Sequence, residues 1–576
     1  MVASPLGKHP CRAQKSWPLD DPIPRDMEKP TCRVGLRAWL GAQAGWTAPL
    51  KTVAAYPGGP APGRRGTSQG VPGTDCYEAL SASSEPACVS RSRQVGHPGS
   101  LPPWRILPRP ADSCRRTVEQ VPESADPEKE EPGSPIMMLS SLVSSRFDVV
   151  VYDATSGGVT AAVSAARHGM RTALLCASWP ACFAEGGRRV GGMSSGGLGQ
   201  TDFGSHPEII GGLALEFYMR NRRSYGELPT EHEGAPSAET CRLPSAGCNV
   251  TFNLEPGRAA SIFQDMLREA GVAVFYGAQV AVVRKSGAAI VSIDATVDGN
   301  VGATSTFNAT VWIDASYEGD LFARAGVTYT IGREGRAAYQ ESLAGMRAGA
   351  RSNQFDLAVD PFGLGGEPLP LTMRPVPGSV VGEGDQLVQA YNFRLCVTKN
   401  ASNRVPWPRP ANYSSANYEL LIRYINACTA ARTTGAAGDS AGTGGNFTSG
   451  GCQLGYPSCN TAAVPGSKFD SNNCGGISSD LIGGSWGYPE ADYGVRRAIW
   501  FAHLQYQQGL LWTMAHDQAV PSAVRDEMAG WGLCRDEFSE MTISPHWPPS
   551  LYVRAARRLV GEDVFTQNSP AMQRAA

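Results

Sequence analysis

The pattern of apolar and polar residues changes abruptly near residue 146. Residues 1–145 are rich in Pro, Gly, Ser and Arg and show neither the period of a strand nor that of a helix. Such a segment cannot bury enough apolar surface to offset its chain entropy, so we predict that it is disordered. The run Phe147–Tyr152, by contrast, is apolar and rich in valine, which is typical of a buried strand.

A helix and a second strand are predicted directly after this first strand. Apolar residues recur at helical spacing from Val159 to Ala166, and Gly169 follows as a C-terminal stop. Thr172–Leu175 then has the composition of another strand. A strand, a turn, a helix and a strand over this length are typical of a dinucleotide-binding unit.

Further elements are predicted downstream from the same periodicities. They are a helix at Ala259–Ala270, strands at Val272–Tyr276 and Gln279–Arg284, a hairpin-like pair at Ala289–Val297 and Phe307–Ile313, and a helix near Val495–Gly509. Alternating strands and helices favour an α/β fold.

Composition and charge narrow the classes of function. The 576 residues are 42% hydrophobic and 18% charged, so the chain can bury a large core and form two or more domains. Its 51 Lys and Arg nearly balance its 53 Asp and Glu, and no basic arm is visible, so we expect no nucleic-acid partner. No stretch approaches the roughly 20 consecutive apolar residues that cross a bilayer, so we expect no membrane span.

The 15 cysteines bear on metal binding and on the compartment. None lies in a Cys-x-x-Cys pair, so we expect neither a zinc site nor an iron–sulfur cluster. Cysteine clusters and Asn-x-Ser/Thr sequons slightly favour a secreted glycoprotein, but residues 1–29 contain no apolar signal-peptide core, and the compartment stays open. The clusters are Cys241 with Cys248 and Cys452 with Cys459 and Cys474, and the sequons begin at Asn249, Asn308, Asn400, Asn412 and Asn446. In a secreted protein we expect at least one cysteine of the second cluster to be oxidised.

The turn between the first strand and the first helix carries part of a phosphate-binding pattern. A glycine turn that opens a helix leaves backbone N–H groups unpaired at the positive end of that helix, where a diphosphate binds. Of the G-x-G-x-x-G pattern only the third glycine is kept, as Gly158, while Asp153 and Thr155 take the first two places. An acid that binds ribose normally follows about 20 residues later, and Cys176 stands there. The alternative is an ordinary strand-to-helix turn.

A second glycine-rich segment, Gly191–Gly199, has little side-chain bulk. Such a backbone suits the close approach of a flat ligand. The alternative is a flexible linker, which fits less well because apolar residues recur through the segment.

Taken in order along the chain, these segments and several others resemble the FAD-dependent oxidoreductase family over residues 147–568. The matching segments are Phe147–Gly158, Gly191–Gly197, Ile210–Ala214, Asn253–Pro256, Ile313–Leu321, Gly332–Glu334, Gln389–Arg394, Asn472–Asn473, Ser479–Gly483, Trp531–Phe538 and Leu551–Arg558. The flavin-binding half is also similar to heterodisulfide reductase A-like proteins. The resemblance implies an α/β fold with a Rossmann-like FAD/NAD(P)-binding domain over residues 146–330. An inserted α+β substrate or cap region follows over residues 331–576, with a Gly-rich insertion at 433–475.

The resemblance also implies FAD as the cofactor and a set of residues around it. The diphosphate is expected at Thr155, Ser156, Gly157 and Gly158, the ribose near Cys176, the adenine at the Val280 backbone, the isoalloxazine along Gly191, Gly192, Met193, Ser194, Gly196 and Gly197, and a second flavin-contacting strand end at Asp314, Gly319 and Asp320. For Asp314 and Asp320 the alternative is a pair of helix caps. Family members carry, beyond the region of Tyr552–Arg554, a further strand and helix that close the FAD domain. The sequence ends at Ala576, so we expect that segment to be absent, which implies either a truncated gene model or weak binding of FAD.

The function that the resemblance implies is transfer of a hydride from a small-molecule substrate to FAD. One alternative is an electron-transfer flavoprotein of the heterodisulfide reductase A-like kind, which would need cysteine ligands for iron–sulfur clusters. Another is a binding-only relative that keeps the fold and has lost FAD. The catalytic residue is not identified by the sequence. Arg333, Arg394 and His516 are candidates for handling a proton, and each has an alternative as a structural ion pair or an ordinary surface or core residue.

Overall fold

The structure, a computed structural model, describes residues 146–202, 209–226, 252–300, 302–347, 355, 357–372, 379–433, 461–473 and 477–569. The predicted disorder of residues 1–145 and the predicted oxidation of Cys452, Cys459 or Cys474 lie outside these residues. Within the described part of the chain, two larger sheets organise the fold.

The first sheet has six strands in the order β3-β2-β1-β6-β5-β4. They are β1 (Arg146–Tyr152), β2 (Thr172–Cys176), β3 (Ala273–Tyr276), β4 (Val280–Ser286), β5 (Ala289–Thr296) and β6 (Thr304–Asp314). Strand β1 pairs in parallel with β2 and β6, and β2 with β3, whereas the pairs β4 with β5 and β5 with β6 are antiparallel. The carboxyl ends of β1, β2 and β6 therefore meet at one edge, where open α/β sheets bind their ligands.

Both faces of this sheet are covered. Successive side chains of its buried strands point to opposite sides, so each face contributes apolar side chains to a core of its own. Helices α1 (Ser156–Arg167), α2 (Gly212–Arg223) and α3 (Pro256–Glu269) contribute to the core on one face, where Val159 and Phe263 pack with Val151. On the other face Val150 packs with Phe307 and with residues of α4 (Asp320–Arg324).

The second sheet has five short antiparallel strands in the order β10-β11-β8-β12-β9. They are β8 (Leu395–Thr398), β9 (Arg404–Val405), β10 (Thr461–Val464), β11 (Lys468–Ser471) and β12 (Gly532–Cys534), while β7 (Tyr329–Thr330) pairs separately with β13 (Arg558–Leu559). The remaining helices are α5 (Arg336–Tyr339), α6 (Glu419–Thr433), α7 (Tyr493–His516) and α8 (Ser522–Gly530).

Helix α7 runs through the largest apolar core. Asp492 caps its first turn by accepting a hydrogen bond from the Val495 amide at 2.8 Å. Trp500, Leu504 and Leu511 of this helix lie in one buried cluster with residues of α6 and of the second sheet. The cap places the first turn of α7 next to the first sheet, where Tyr493 contacts Tyr152 at the end of β1.

The structure confirms the predicted α/β class, the predicted strands of the first sheet and the predicted helices that pack against it. Gly169 has a positive φ of 82° directly after α1, as expected for a helix stop. Strands β10 and β11 lie inside the predicted insertion at 433–475, so the C-terminal part of that range belongs to the second sheet. The division of the chain at residue 330 stays a prediction. None of the helices in the described residues is long and apolar enough to cross a bilayer.

Candidate functional site

The turn between β1 and α1 brings backbone N–H groups to the ligand edge of the first sheet. Thr155 is the N-cap, and its hydroxyl accepts from the Gly158 amide at 3.2 Å. The amides of Ser156 and Gly157 belong to the first turn of a helix and so have no partner within it. A Cβ on Gly158 would lie 2.1 Å from the Asp153 carbonyl oxygen and 3.2 Å from the Cβ of Ala315. Helix α1 can therefore approach the ends of β1 and β6 only because residue 158 is glycine.

The first half of the glycine-rich segment lies directly on this turn. The Gly191 amide donates to the Ala154 carbonyl at 2.7 Å, and Gly191 has a φ of 104°. A Cβ on Gly192 would lie 3.0 Å from the Thr155 Cα and 2.4 Å from the Tyr317 hydroxyl. That hydroxyl accepts from the Met193 amide at 2.9 Å. Three segments that are far apart in the chain thus meet at one point.

The second half of the segment leads away from the turn towards the second sheet. A Cβ on Gly196 would lie 2.5 Å from the Ser550 hydroxyl, and one on Gly197 would lie 2.1 Å from the Arg394 carbonyl oxygen. Ser194, between the two halves, is half-buried. Gly196 and Gly197 therefore approach Ser550 and Arg394, whereas Gly191 and Gly192 approach the turn that precedes α1.

Asp314, at the end of β6, caps helix α4. The Asp314 carboxylate accepts from the amides of Leu321 and Phe322 at 3.0 Å each, so it caps the first turn of this helix. Gly319 has a φ of 68° and packs against the Phe322 ring. This geometry is the helix-cap alternative that the sequence left open for Asp314.

Asp320 forms a buried ion pair. Arg496 of α7 donates to its two carboxylate oxygens at 2.7 and 3.0 Å, and Arg557 donates to one of them at 2.7 Å. Although burial acts to raise the pKa of Asp320, Arg496 and Arg557 hold it below its usual value. Asp320 thus anchors α7 to the loop that follows β6.

Residue 176 differs from its expected state. Cys176 is fully buried and forms a disulfide with Cys182, so it is not a free thiol at the ribose position. Cys396 and Cys534 are free and buried. Among the residues that the structure describes, no group of three or more His, Cys, Asp or Glu could hold a metal ion.

Both hydrogen-bonding groups of the Val280 backbone are engaged by tyrosine hydroxyls. The Val280 amide donates to the Tyr152 hydroxyl at 3.3 Å, and the Tyr493 hydroxyl donates to the Val280 carbonyl at 3.3 Å. The two hydroxyl oxygens lie 3.1 Å apart. An adenine ring would therefore have to replace one of these hydroxyls at the Val280 backbone or share the carbonyl with Tyr493.

A cavity of about 30 Å³ lies between these groups, at the carboxyl ends of β1, β2 and β6. Asp153, Ser178, Glu318, Tyr488 and Arg496 are among its lining residues. Glu318 is half-buried and accepts a hydrogen bond from the Tyr488 hydroxyl at 3.0 Å. Burial raises the pKa of Glu318 to about 7, while the nearby Arg496 acts in the opposite direction. The cavity thus holds a carboxyl group that can change its charge near neutral pH.

The three proton-handling candidates named from the sequence lie away from this cavity. Arg394 pairs with Asp470, a carboxylate that is almost fully buried. Arg333 pairs with Asp385 on the surface, and His516 is exposed at the end of α7, where its ring stacks on Trp512. The two arginines form the structural ion pairs that the sequence left open as an alternative.

Sequence reasoning missed Glu318 and Arg496 as residues of the site. Glu318 had a usable signal, since it lies within a run of polar residues directly after a predicted strand end. Arg496 had none, because nothing in its local sequence indicates that it meets Asp320, which lies 176 residues away.

The diphosphate end of FAD fits this site. The first-turn amides of α1 supply donors, and Gly158 and Gly192 let α1, the strand ends and the glycine-rich segment pack closely around that turn. The adenosine end needs more space than the cavity holds, since small-molecule pockets usually have several hundred Å³. The first turn of α7, which carries Tyr493 and Arg496, forms much of the cavity lining that has to move if an adenosine is to enter.

A partly parallel sheet with a glycine turn at its carboxyl edge is typical of dinucleotide-binding domains. The model of the family described as FAD dependent oxidoreductase matches residues 148–575. The chain belongs to this family, and its cofactor is FAD. The family and the cofactor predicted from the sequence are thereby confirmed. A search of curated proteins found no match.

Solved structures similar to part of the chain include several flavoproteins. One is a myxobacterial chondrochloren halogenase, described as FAD-dependent, with 19% identity and a TM-score of 0.24 over 33% of this chain and 41% of that chain. Another is a geranylgeranyl bacteriochlorophyll reductase-like protein from Thermoplasma acidophilum, with 20% identity and a TM-score of 0.21 over 32% and 43%. A third is an anhydrotetracycline hydroxylase from Streptomyces rimosus, with 16% identity and a TM-score of 0.22 over 36% and 41%. The chain thus spans less than half the length of each of these proteins.

Proposed function

We propose that this protein is an FAD-dependent enzyme that removes a hydride from a small-molecule substrate. The observation that supports it most is the meeting of the Thr155–Gly158 turn with Gly191, Gly192 and the loop after β6. Gly158 lets α1 approach the ends of β1 and β6, and Gly192 lets a second segment approach the Thr155 backbone, so both segments lie close to the N-terminus of α1.

The cofactor supplies the redox chemistry, because bound FAD accepts a hydride. The protein holds the cofactor and the substrate in position. The Ser156 and Gly157 amides would bind the diphosphate, and the segment from Gly192 to Gly197 leads from this turn to Arg394 next to the second sheet. We place the isoalloxazine along this segment and the substrate between it and the second sheet.

The rigidity of this path comes from buried ion pairs at its far end. The Gly199 amide donates to the Asp470 carboxylate at 3.0 Å, and Asp470 pairs with Arg394. Lys468 pairs in turn with Glu255 and Glu537, both almost fully buried. A backbone held in this way can keep a flat ring in one orientation, and hydride transfer requires such positioning of the reacting groups.

The test is an FAD titration of purified protein, followed by flavin absorbance and fluorescence, with Gly158→Val and Gly157→Ala compared with the parent. A Cβ at residue 157 lies 3.7 Å from its nearest neighbour, so Gly157→Ala is a matched control on the same turn. We expect the parent and Gly157→Ala to bind FAD and Gly158→Val to bind it at least about tenfold more weakly, which corresponds to about 1.4 kcal/mol. Binding by Gly158→Val equal to that of the parent would place the diphosphate elsewhere.

A further inference from the structure

Two free cysteines lie opposite each other in the second sheet. Strands β8 and β12 are antiparallel, with Val397 opposite Leu533. One step along each strand, the same register places Cys396 opposite Cys534. Opposite residues of antiparallel strands point to the same face of a sheet, so the two thiols lie side by side although they are far apart in the chain.

The two thiols are in contact. Both are buried, and both are free in the structure. Burial, together with a hydrogen bond to the Cys534 thiol, raises the pKa of Cys396. The Cα atoms of opposite residues lie about 4.5–5.5 Å apart, and those of disulfides lie about 4.4–6.8 Å apart. The strands can therefore stay in place while the two sulfurs join.

Other cysteines of the chain are already oxidised. Cys176 is bonded to Cys182, and Cys428 is also disulfide-bonded. Disulfides form and persist in oxidising surroundings. In such surroundings the thiols of β8 and β12 meet the same oxidant while the chain folds, before burial closes them off.

The pair lies on the face of the second sheet that contacts the glycine-rich segment. Asp470 of β11 is opposite Cys396 and so points to the same face. Its carboxylate accepts from the Gly199 amide at 3.0 Å and pairs with Arg394. A covalent bond between β8 and β12 would thus hold together the part of the sheet that supports the end of this segment.

We propose that Cys396 and Cys534 are a redox-modification site and that they close a cross-strand disulfide between β8 and β12 when the chain meets a disulfide oxidant such as oxidised glutathione. Two S–H bonds break and one S–S bond forms. The two protons and the electron pair pass to the disulfide of oxidised glutathione, which becomes two thiols. The proposal goes beyond the proposed function and does not depend on FAD.

The test maps the cysteines of the full chain after incubation in buffers that run from reduced to oxidised glutathione. Because both thiols are buried, one series starts from the folded protein and a second from protein refolded from urea in the same buffers. Each sample is quenched in acid, unfolded, alkylated, digested and identified by mass spectrometry. The disulfide between Cys176 and Cys182 is the internal reference.

We expect peptides joined through Cys396 and Cys534 in oxidised buffer and two alkylated cysteines in reduced buffer. Joined peptides in either series support the proposal, since a bond that appears only on refolding has formed before burial. Two cysteines that stay free in both series, or that each carry glutathione, would overturn it.

A second measurement asks whether the bond cross-links the folded chain. The double variant Cys396→Ala with Cys534→Ala keeps every other cysteine and is the matched control. On passing from reduced to oxidised buffer, the urea midpoint of the parent should rise by more than that of the variant, because a bond between residues far apart in the chain restricts the unfolded state. Equal rises would contradict the cross-strand bond.

Discussion

Two neighbouring regions of the ligand edge are built in different ways. At the turn of Thr155–Gly158 the geometry depends on the absence of side chains, because Gly158 and Gly192 allow backbone segments to approach each other closely. The second region is the cavity next to Tyr152 and Asp153 at the end of β1. The geometry of this cavity depends on side chains from distant elements, above all Tyr493 and Arg496 of α7. The first region needs little rearrangement to accept a phosphate, whereas the second must exchange protein contacts for ligand contacts.

The largest expected change in stability comes from the cavity side. Arg496→Leu leaves the buried Asp320 with Arg557 alone, and breaking a buried ion pair costs about 3–5 kcal/mol. We expect a loss of about 3 kcal/mol in urea unfolding at pH 7. The control is Arg497→Leu, one residue along the same helix, whose guanidinium lies over the Trp179 ring and should cost about 1 kcal/mol or less. Equal losses for the two variants would show that the ion pair contributes nothing of its own.

The next effect concerns the dependence of stability on pH. The folded-state pKa of Glu318 is about 7, above its ordinary value of 4.5, so the folded protein holds this proton more tightly than the unfolded chain. Stability is therefore lost as the pH rises from about 4.5 through 7, and the loss amounts to about 3 kcal/mol at pH 8. The groups that face Glu318 are Arg496, Asp320, Asp153 and Tyr488.

Glu318→Gln should remove this loss. We expect the variant to exceed the parent in stability at pH 8 by about 3 kcal/mol and to show no such gain at pH 4, in unfolding curves recorded across that range. Glu490→Gln, which replaces an exposed carboxylate, is the control and should keep the parent's dependence on pH. A gain that is the same at both pH values would contradict the assignment of the titration to Glu318.

A smaller effect is expected where Tyr493 covers Val280. Tyr493→Phe removes the hydroxyl that bonds to the Val280 carbonyl, so we expect about 1 kcal/mol lower stability. The same change frees that carbonyl for adenine, so FAD should bind more tightly to the variant. Tyr329→Phe, which removes an exposed hydroxyl bonded to Glu490, serves as the control. Weaker FAD binding by Tyr493→Phe would mean that this hydroxyl belongs to the bound form of the site.

The contrast between the two regions also explains how much the sequence could predict. Strands β1 and β2 and helix α1 follow from local periodicity, and Gly158 follows from its spacing to the strand end. The contact of Gly192 with Tyr317 could not be predicted, since 125 positions of chain separate the two residues. The reach of Asp153 to Ser178 could not be predicted, because it depends on a positive φ and on the register of β1 with β2. Side-chain partners between distant elements leave no periodic signal.

The central claim is that the diphosphate of FAD lies at the N-terminus of α1, and charge at residue 156 tests it most directly. Ser156 is half-buried in the first turn, where an acidic side chain favours a helix by about 0.3–1 kcal/mol. Ser156→Asp should therefore fold at least as stably as the parent while its carboxylate repels a diphosphate, and Ser156→Asn is the uncharged control of the same shape. In titrations followed by flavin fluorescence, we expect FAD to bind Ser156→Asp at least about tenfold more weakly and Ser156→Asn within about twofold of the parent. FAD binding by Ser156→Asp as tight as that of Ser156→Asn would contradict the account.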